Sequence, residues 1–335
     1  MQHSDGIIII LSYPDTVVRP AYWETLSNFW PKIGIGSKHA VQAGHAALLL
    51  LEKGNKTIQY FDFGRYITTY GNGRVRSAET DPELKVTINA EFKNDKLINL
   101  EEILLWIESN PQKTHGDGRL VASIHEDINF NKAQTFIKNL IDSKEIPYGA
   151  FLKNGTNCAR FVTDTIIAST NNNKIGKKLK KSNLLTPSPI GNVIKATTSN
   201  TIYCIYNQKV KSYLNRSILK EYKASFFKKF NGEPNLKGTE KPNLDVFNLI
   251  NGTWLGGIGS GAWFKIEEKI DNQTYKIARY DALGNKDFES YFWLNEHEFN
   301  YLKKYIFIHP TNCKEVYIQQ NNSKFTFTQI ISKAN

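Results

Sequence analysis

Cys158 stands where a loop turns into a helix, a position that suits a reactive thiol. The stretch from Gly155 to Ile167 starts with the capping residues Thr156 and Asn157 and continues with apolar residues at helical spacing. A thiol in the first turn of a helix lies among unpaired N–H groups at the positive end of the helix dipole, which favours the thiolate over the thiol. The sequence therefore predicts a nucleophile at Cys158, whose own backbone N–H can donate to an oxyanion.

His45 is the candidate base for this thiol. It opens an apolar run that continues to Leu51 and has the composition of a buried strand. The turn residues Gly54-Asn55 follow, and a second strand-like run extends from Thr57 to Phe63. The two runs are predicted to form a β-hairpin with His45 at the start of its first strand.

The register of this hairpin decides which side chain can orient His45. A two-residue turn pairs Ala47 with Asp62, so that Asp62 and His45 share one face as diagonal neighbours about 7–8 Å apart at the backbone. Asp62 is therefore predicted to hold the imidazole. A change of one residue in the turn would move Asp62 to the other face, and Tyr60 and Gln59 are the alternatives for its role.

A cluster of arginines follows the hairpin. Arg65, Arg74 and Arg76 lie close in sequence to one glutamate and two aspartates. Together with Tyr148 they are candidates for binding substrate, because a guanidinium group can hold a carboxylate or phosphate through two parallel hydrogen bonds. The alternative is an internal ion-pair network or a solvated loop.

Two of these stretches resemble a known group of thiol enzymes. Gly44-His45 before an apolar strand, and Asn157-Cys158-x-x-Phe161-Val162 at the head of a helix, are similar to the circularly permuted papain-like (NlpC/P60-type) enzymes, which include the lecithin–retinol acyltransferase-like proteins. In unpermuted relatives the cysteine precedes the histidine, whereas here His45 precedes Cys158. The resemblance covers roughly the first 170 residues. More loosely, the stretches Phe61 to Tyr66 and Gly73 to Asp81 resemble proteins of the Bacteroidota, which supply no function.

The resemblance implies a cysteine hydrolase of the amidase, peptidase or acyl-transfer type that works through an acyl intermediate on Cys158. His45 would act as base and Asp62 as the orienting group. Asn157 or Gln42 would add a donor to the oxyanion. The expected substrate contains an amide or ester, as in a peptide, a peptidoglycan fragment or a lipid.

The composition of the whole chain indicates the cellular compartment and the kinds of site to expect. The chain has 335 residues, a formal net charge of +11 and three cysteines that form no C-x-x-C pair. A disulfide framework is therefore not expected, and a reducing compartment, the cytoplasm, fits better. The apolar run Ile7 to Leu11 is too short for a signal peptide or a membrane span. The histidine spacings match no zinc pattern, and we expect neither a metal nor a cofactor.

The order of predicted elements indicates an α+β protein. Residues 1–172 are predicted to form the permuted papain-like catalytic domain, and residues 173–245 a basic linker with a helical connection. Residues 246–335 are predicted to form a small β-barrel or sandwich, because short strand-like pieces alternate there with turn residues.

The lysine run from Lys174 to Lys181 supports an alternative function. It could bind an acidic partner, and the whole chain would then be a non-catalytic binding module with a basic surface for nucleic acid or another acidic molecule. A basic run is more often a solvated segment, so we favour the thiol enzyme.

Overall fold

The computed structural model describes residues 4–24, 29–214, 217–229, 242, 245–246, 250–296 and 298–330. They belong to two compact units. The first is drawn from Met1–Gly64, Val75–Ser77 and Leu84–Pro234, and the second from Arg65–Arg74, Ala78–Glu83 and Asn235–Asn335. The boundaries differ from those predicted, because two short pieces before residue 84 join the C-terminal part.

The first unit is built on an eight-stranded sheet with the order β10-β9-β7-β1-β2-β3-β4-β8, and of β4 only Val75 and Arg76 belong to this unit. Its strands are β1 (Gly6–Tyr13), β2 (His45–Glu52), β3 (Ile58–Gly64), β4 (Asn72–Arg76), β7 (Leu120–Ile128), β8 (Ile146–Pro147), β9 (Tyr203–Tyr206) and β10 (Lys209–Ser212). The short strands β5 (Phe92–Lys93) and β6 (Lys96–Leu97) form a separate pair.

Helices cover both faces of this sheet. They are α1 (Leu100–Glu108), α2 (Pro111–Thr114), α3 (Phe130–Asp142), α4 (Cys158–Ser169), α5 (Asn173–Ser182), α6 (Pro189–Ala196) and α7 (Ile218–Phe226). Helices α3, α4 and α6 pack on one face, and α1 packs on the other. The result is an α+β architecture with two apolar layers.

Strand β1 lies inside the sheet, as its apolar run predicts. Ile8 and Ile10 belong to the apolar layer under α3, α4 and α6, whereas Ile7, Ile9 and Leu11 belong to the layer under α1. All five are fully buried because both faces of the sheet are covered. The strand pairs antiparallel with β2 on one side and with β7 on the other.

The hairpin of β2 and β3 has the predicted register. Ala47 pairs with Asp62, and Leu48 pairs with Phe61. Gly54 in the turn has a φ of +80°, a conformation that glycine adopts without strain. Asp62 therefore lies on the face that a two-residue turn predicts.

The sequence predicts a basic linker with a helical connection from residue 173, and the start of this stretch is a helix. Residues Asn173–Ser182 form helix α5, which packs against α4 and α6 of the first unit. Asn172 caps the helix by accepting a hydrogen bond from the N–H of Ile175 at 3.1 Å, and Leu179 is fully buried. One buried face is therefore enough to fix a helix that is otherwise polar.

The second unit is mostly β, as predicted. Its seven strands are β11 (Thr253–Leu255), β12 (Ala262–Lys269), β13 (Thr274–Tyr280), β14 (Lys286–Leu294), β15 (Ile306–Ile308), β16 (Glu315–Gln320) and β17 (Ser323–Gln329). They form one sheet with the order β11-β12-β13-β14-β17-β16-β15. The two end strands also contact each other, and the N–H of Phe307 donates to Oγ1 of Thr253 at 3.3 Å. The sheet thus curves around its own apolar core, as in a barrel.

None of the helices in the described ranges is both long and apolar enough to cross a membrane.

Candidate thiol active site

Helix α4 begins at Cys158, as the sequence predicts. Asn157 is its N-cap, and its Oδ1 accepts a hydrogen bond from the backbone N–H of Arg160 at 2.9 Å. The cap leaves the N–H groups of the first turn directed at the loop side of the helix, where they can stabilise negative charge. Cys158 is 9% exposed, so the thiol lies at the edge of the apolar layer and still meets a cleft.

His45, the first residue of β2, is buried beside this thiol. The charges of Cys158 and Asp62 both act on its imidazole, so the two side chains lie within electrostatic reach of it. Burial by itself lowers the pKa of His45, but the interactions with Asp62 and Cys158 outweigh it and raise this pKa to about 9. The imidazole is therefore held in its charged form at neutral pH.

Asp62 is fully buried beside the imidazole. Its Oδ2 lies 3.5 Å from Nε2 of His45, a separation at which attraction between the charges matters more than a formed hydrogen bond. Oδ2 also accepts a hydrogen bond from the hydroxyl of Tyr60 at 2.9 Å. Tyr60 thus supports Asp62 and does not replace it.

Arg76 fixes the charge of Asp62. Its Nε donates to Oδ1 at 2.9 Å and its Nη2 donates to Oδ2 at 2.5 Å. Burial opposes ionisation of Asp62, but the charge of Arg76 and the interaction with His45 outweigh it and hold the pKa of Asp62 well below its usual range. Asp62 is therefore a carboxylate clamped between a guanidinium and an imidazolium.

Tyr13 contacts His45 and was missed by the sequence reasoning. The two residues pair across β1 and β2, and their rings stack with centroids 6.4 Å apart and planes 23° from parallel. Gly116 lies against the Tyr13 ring so closely that an added Cβ would come within 2.2 Å of it. Asp117 is close enough for the charge of His45 to lower its pKa, although burial raises that pKa on balance. Only the pairing of β1 with β2 reveals these contacts.

A cleft of about 410 Å³ opens beside Cys158. Tyr148, Asn157 and Gly44 are among the residues that line it, so the predicted substrate contact Tyr148 does border the thiol. The Tyr148 ring also stacks on Phe63 of β3 at 6.0 Å. The volume lies within the range of small-molecule sites.

The predicted additional oxyanion donors are engaged elsewhere. The amide nitrogen of Gln42 donates to the carbonyl of Pro14 at 3.3 Å and to Oγ of Ser225 at 3.4 Å. The oxygen of Asn157 caps α4, and its amide nitrogen lies 3.5 Å from Oγ1 of Thr186. The structure therefore favours structural roles for both side chains, and the backbone N–H of Cys158 is the better candidate donor.

Two of the three candidate arginines, Arg74 and Arg76, form internal ion pairs, the alternative to substrate binding. Arg76 is occupied by Asp62 within the first unit. Arg74 belongs to the second unit, where it donates two hydrogen bonds of 2.6 Å to Asp81. Arg65, also of the second unit, lines a different cavity of about 340 Å³. The geometry therefore does not favour Arg74 and Arg76 as substrate contacts.

The other two cysteines have surroundings that disfavour a thiolate. Burial raises the pKa of Cys204, which lies in β9, and it raises the pKa of the fully buried Cys313 still more. Within the described part of the chain, no group of three or more His, Cys, Asp or Glu side chains is arranged to hold a metal ion.

Two families match the chain. The family described as "Type VI secretion system effector TseH-like" matches residues 8–175, half of the chain. The chain belongs to the TseH-like effector family. Its matched segment contains His45, Asp62 and Cys158. The DUF6695 C-terminal domain family matches residues 252–330, which hold the seven strands of the second unit.

Similarity to individual proteins is weaker. No curated protein gave a significant match. Among solved structures, the crystal structure of the type VI secretion system effector TseH matches with 18% sequence identity and a TM-score of 0.43, covering 63% of this chain and 99% of that chain. This likeness is too distant to support an argument, and membership of the TseH-like family rests on the match to residues 8–175.

Proposed function

We propose that this TseH-like protein is a cysteine hydrolase in which Cys158 is the nucleophile, His45 the base and Asp62 the orienting group. The observation that supports this most is that His45 lies 3.5 Å from Asp62 and is close enough to Cys158, the first residue of α4, for the two side chains to interact electrostatically. His45 lies in β2 and Cys158 in α4, more than a hundred residues later. Neither their positions in the sequence nor their local structure requires them to lie close together. A thiolate beside an imidazolium is the resting state that thiol hydrolases need.

The proposed reaction has two steps. The Cys158 thiolate attacks the carbonyl carbon of an amide or ester, and the backbone N–H of Cys158 donates to the oxyanion. His45 gives its proton to the leaving amine or alcohol as the bond to that group breaks, leaving an acyl group on sulfur. His45 then takes a proton from water, which attacks the thioester and releases the acid, and the Cys158 thiolate beside the His45 imidazolium is restored. An amine or alcohol in place of water would give acyl transfer.

We further propose that the first unit has a circularly permuted papain-like core. The order His45 before Cys158, the helix that begins at the cysteine and the histidine on a neighbouring strand support this topology. Membership of a type VI effector family supports the proposal that the chain is itself such an effector, made in the cytoplasm and then exported. The reduced thiol state would apply before export.

Alkylation with iodoacetamide between pH 5 and pH 8 tests the site. We expect Cys158 to react much faster than Cys204 and Cys313 at the low end of this range, because only its thiol is paired with an imidazolium. His45→Ala should slow alkylation of Cys158 at least tenfold and leave the other two cysteines unchanged. Equal rates at all three cysteines, measured by peptide mass spectrometry, would contradict the proposal.

A further inference from the structure

The cleft beside Cys158 has an apolar lining. Its aromatic lining residues are Trp30, Tyr148, Phe151, Tyr222 and Phe226. Two charged residues, Arg19 and Glu24, also line it, and Glu24 is buried with its Oε1 accepting the N–H of Phe151 at 2.8 Å. Such a lining favours an apolar group next to the reacting carbonyl over a polar sugar or a charged side chain.

The rim of the cleft exposes large apolar side chains. Leu184 and Leu185 are 83% and 77% exposed, and Leu185 itself lines the cleft. The carbonyl of Leu185 accepts a hydrogen bond from Arg160 of α4 at 3.4 Å, which ties this segment to the head of the thiol helix. Phe227, next in sequence to the lining residue Phe226, is 57% exposed, and Ile33, between the lining residues Pro31 and Ile35, is 47% exposed. Exposed apolar side chains clustered at a binding site mark an interaction surface.

Helix α5 brings positive charge to the same rim. Its exposed lysines are Lys174, Lys177, Lys178, Lys180 and Lys181, and the helix ends two residues before Leu184. It contains no acidic residue. The charge of this helix acts on its neighbours. Burial lowers the pKa of the nearby Lys195, and the positive charge of Lys178 lowers it further. Lysines beside exposed leucines are typical of surfaces that bind anionic membranes, where the charges meet headgroups and the apolar side chains enter the acyl boundary.

We propose that this rim docks on an anionic membrane and that the cleft takes the ester-linked acyl chain of a membrane lipid. The inference rests on the proposed thiol chemistry for its second part only, since docking needs no reaction. In the reaction, Cys158 Sγ bonds to the acyl carbonyl carbon, the ester C–O bond breaks and His45 protonates the leaving alcohol. Water then releases the fatty acid and restores the thiol.

Vesicle flotation with the full-length Cys158→Ala variant tests docking without turnover. We expect it to bind vesicles of phosphatidylcholine with about one third phosphatidylglycerol at least tenfold more tightly than vesicles of pure phosphatidylcholine. In that background, Leu184→Ser with Leu185→Ser should weaken binding to the anionic vesicles at least tenfold. The control Leu302→Ser, at an exposed leucine of the second unit, should not.

The contribution of the α5 lysines to membrane binding is tested by comparison with four exposed lysines elsewhere on the first unit. Changing Lys177, Lys178, Lys180 and Lys181 to Gln should abolish the preference for anionic vesicles. The same change at the exposed Lys56, Lys85, Lys93 and Lys96, which removes equal charge, should leave most of it. Weak binding to both kinds of vesicle, or retention on a DNA duplex that the α5 lysines alone control, would overturn the membrane proposal in favour of a nucleic-acid surface.

Hydrolysis of p-nitrophenyl esters tests the acyl chain. With the wild-type chain, kcat/KM should rise at least tenfold from acetate to octanoate, because the longer chain fills the apolar cleft. A rate that depends on Cys158 but is equal for both esters would overturn the acyl-chain inference and leave the thiol function intact. No hydrolysis of either ester that depends on Cys158, together with slow alkylation, would instead overturn the proposed function.

Discussion

Asp62 is surrounded by partners that keep it ionised in a place closed to water. Arg76 binds it through two hydrogen bonds, Tyr60 donates a third and His45 contributes charge from 3.5 Å away. Removing one partner of such a buried pair costs far more than the pair contributes, because the remaining charge is left without compensation. Asp62 thus orders the imidazole only because Arg76 first orders Asp62.

Asp62→Asn should lower both the stability of the chain and the reactivity of Cys158. The variant leaves Arg76 buried without its carboxylate, which we expect to cost about 3–5 kcal/mol of unfolding free energy. The pKa of His45 should fall, because burial lowers it and the carboxylate that raises it is gone. Alkylation of Cys158 at pH 6 should slow at least tenfold. Asp164→Asn, in α4 but hydrogen-bonded to Asn183, is the control. Equal alkylation rates in the two variants would contradict the role of Asp62.

The charge on His45 should make stability depend on pH. Its pKa of about 9 in the folded chain exceeds the ordinary value of 6.5, so folding strengthens proton binding. The resulting stabilisation, at most about 3 kcal/mol, is complete below about pH 6.5 and is lost as the pH rises through 9. His45→Gln lacks it, so urea denaturation should show a larger gap between wild type and variant at pH 6 than at pH 10. An equal gap at both values would mean that the imidazole is not held charged.

Individual residues differ in how well the sequence predicts them. The positions of Cys158 and Asp62 follow from local patterns, a helix start and a hairpin count, and the structure has both. Tyr13 has no such signal, because it reaches His45 through the pairing of strands that are distant in sequence. The arginines were ambiguous because bidentate geometry suits an internal carboxylate as well as a substrate.

Helix α4 owes its reactive end to a single capping side chain. Asn157 occupies an extended conformation and closes the first turn through Arg160. Because the cap fixes the direction in which the first N–H groups point, it also fixes the field at the Cys158 sulfur. Capping and chemistry are therefore coupled at this helix end.

Asn157→Ala should separate these two effects when compared with Asn172→Ala. Both side chains cap a helix, α4 and α5 respectively, so each change should cost about 1 kcal/mol of unfolding free energy. Only Asn157→Ala should also slow alkylation of Cys158, by roughly threefold to tenfold, since only its helix begins at the thiol. The measurements are urea denaturation and the alkylation rate at pH 6. If Asn172→Ala slowed the thiol equally, the cap of α4 would have no special part in reactivity.

Elements with strong periodicity were predicted well, and α5 was not. The strands β11 to β17 alternate with turn residues and match the predicted pieces closely. Helix α5 has only Ile175 and Leu179 on its apolar side, and its many lysines resemble a solvated linker. Its helical state depends on contacts with α4 and α6, which no local pattern contains.

At the scale of the whole molecule, the second unit is discontinuous in sequence. Its core includes Ile67 together with apolar residues of β12 to β17. Arg279 of β13 is buried and pairs with Glu83 at 2.7 Å and Asp287 at 2.9 Å, while Asp81 lies 3.7 Å away. The pieces Arg65–Arg74 and Ala78–Glu83 are thus part of this unit's core and its ion-pair network.

Arg279→Met should therefore destabilise the second unit. Glu83 and Asp287 lose this cation, but their side chains are 39% and 36% exposed and solvent screens the charges left behind, so we expect a cost of about 1.5–3 kcal/mol. Lys286→Met, which removes an exposed pair with Glu289, should cost no more than about 1 kcal/mol. Urea denaturation combined with hydrogen exchange at the amides of β12 to β14 would locate the loss. Similar costs for the two variants would mean that the Arg279 network does not hold the unit together.

This discontinuity has a consequence during synthesis on the ribosome. The early pieces that end at Glu83 leave the exit tunnel long before the strands that begin at Thr253. At 5–20 residues per second the delay is roughly ten to thirty seconds. Throughout that interval Ile67 and Asp81 have no native neighbours from the later strands. Chaperones can therefore bind these exposed residues on the nascent chain for longer than they could if the second unit were contiguous in sequence.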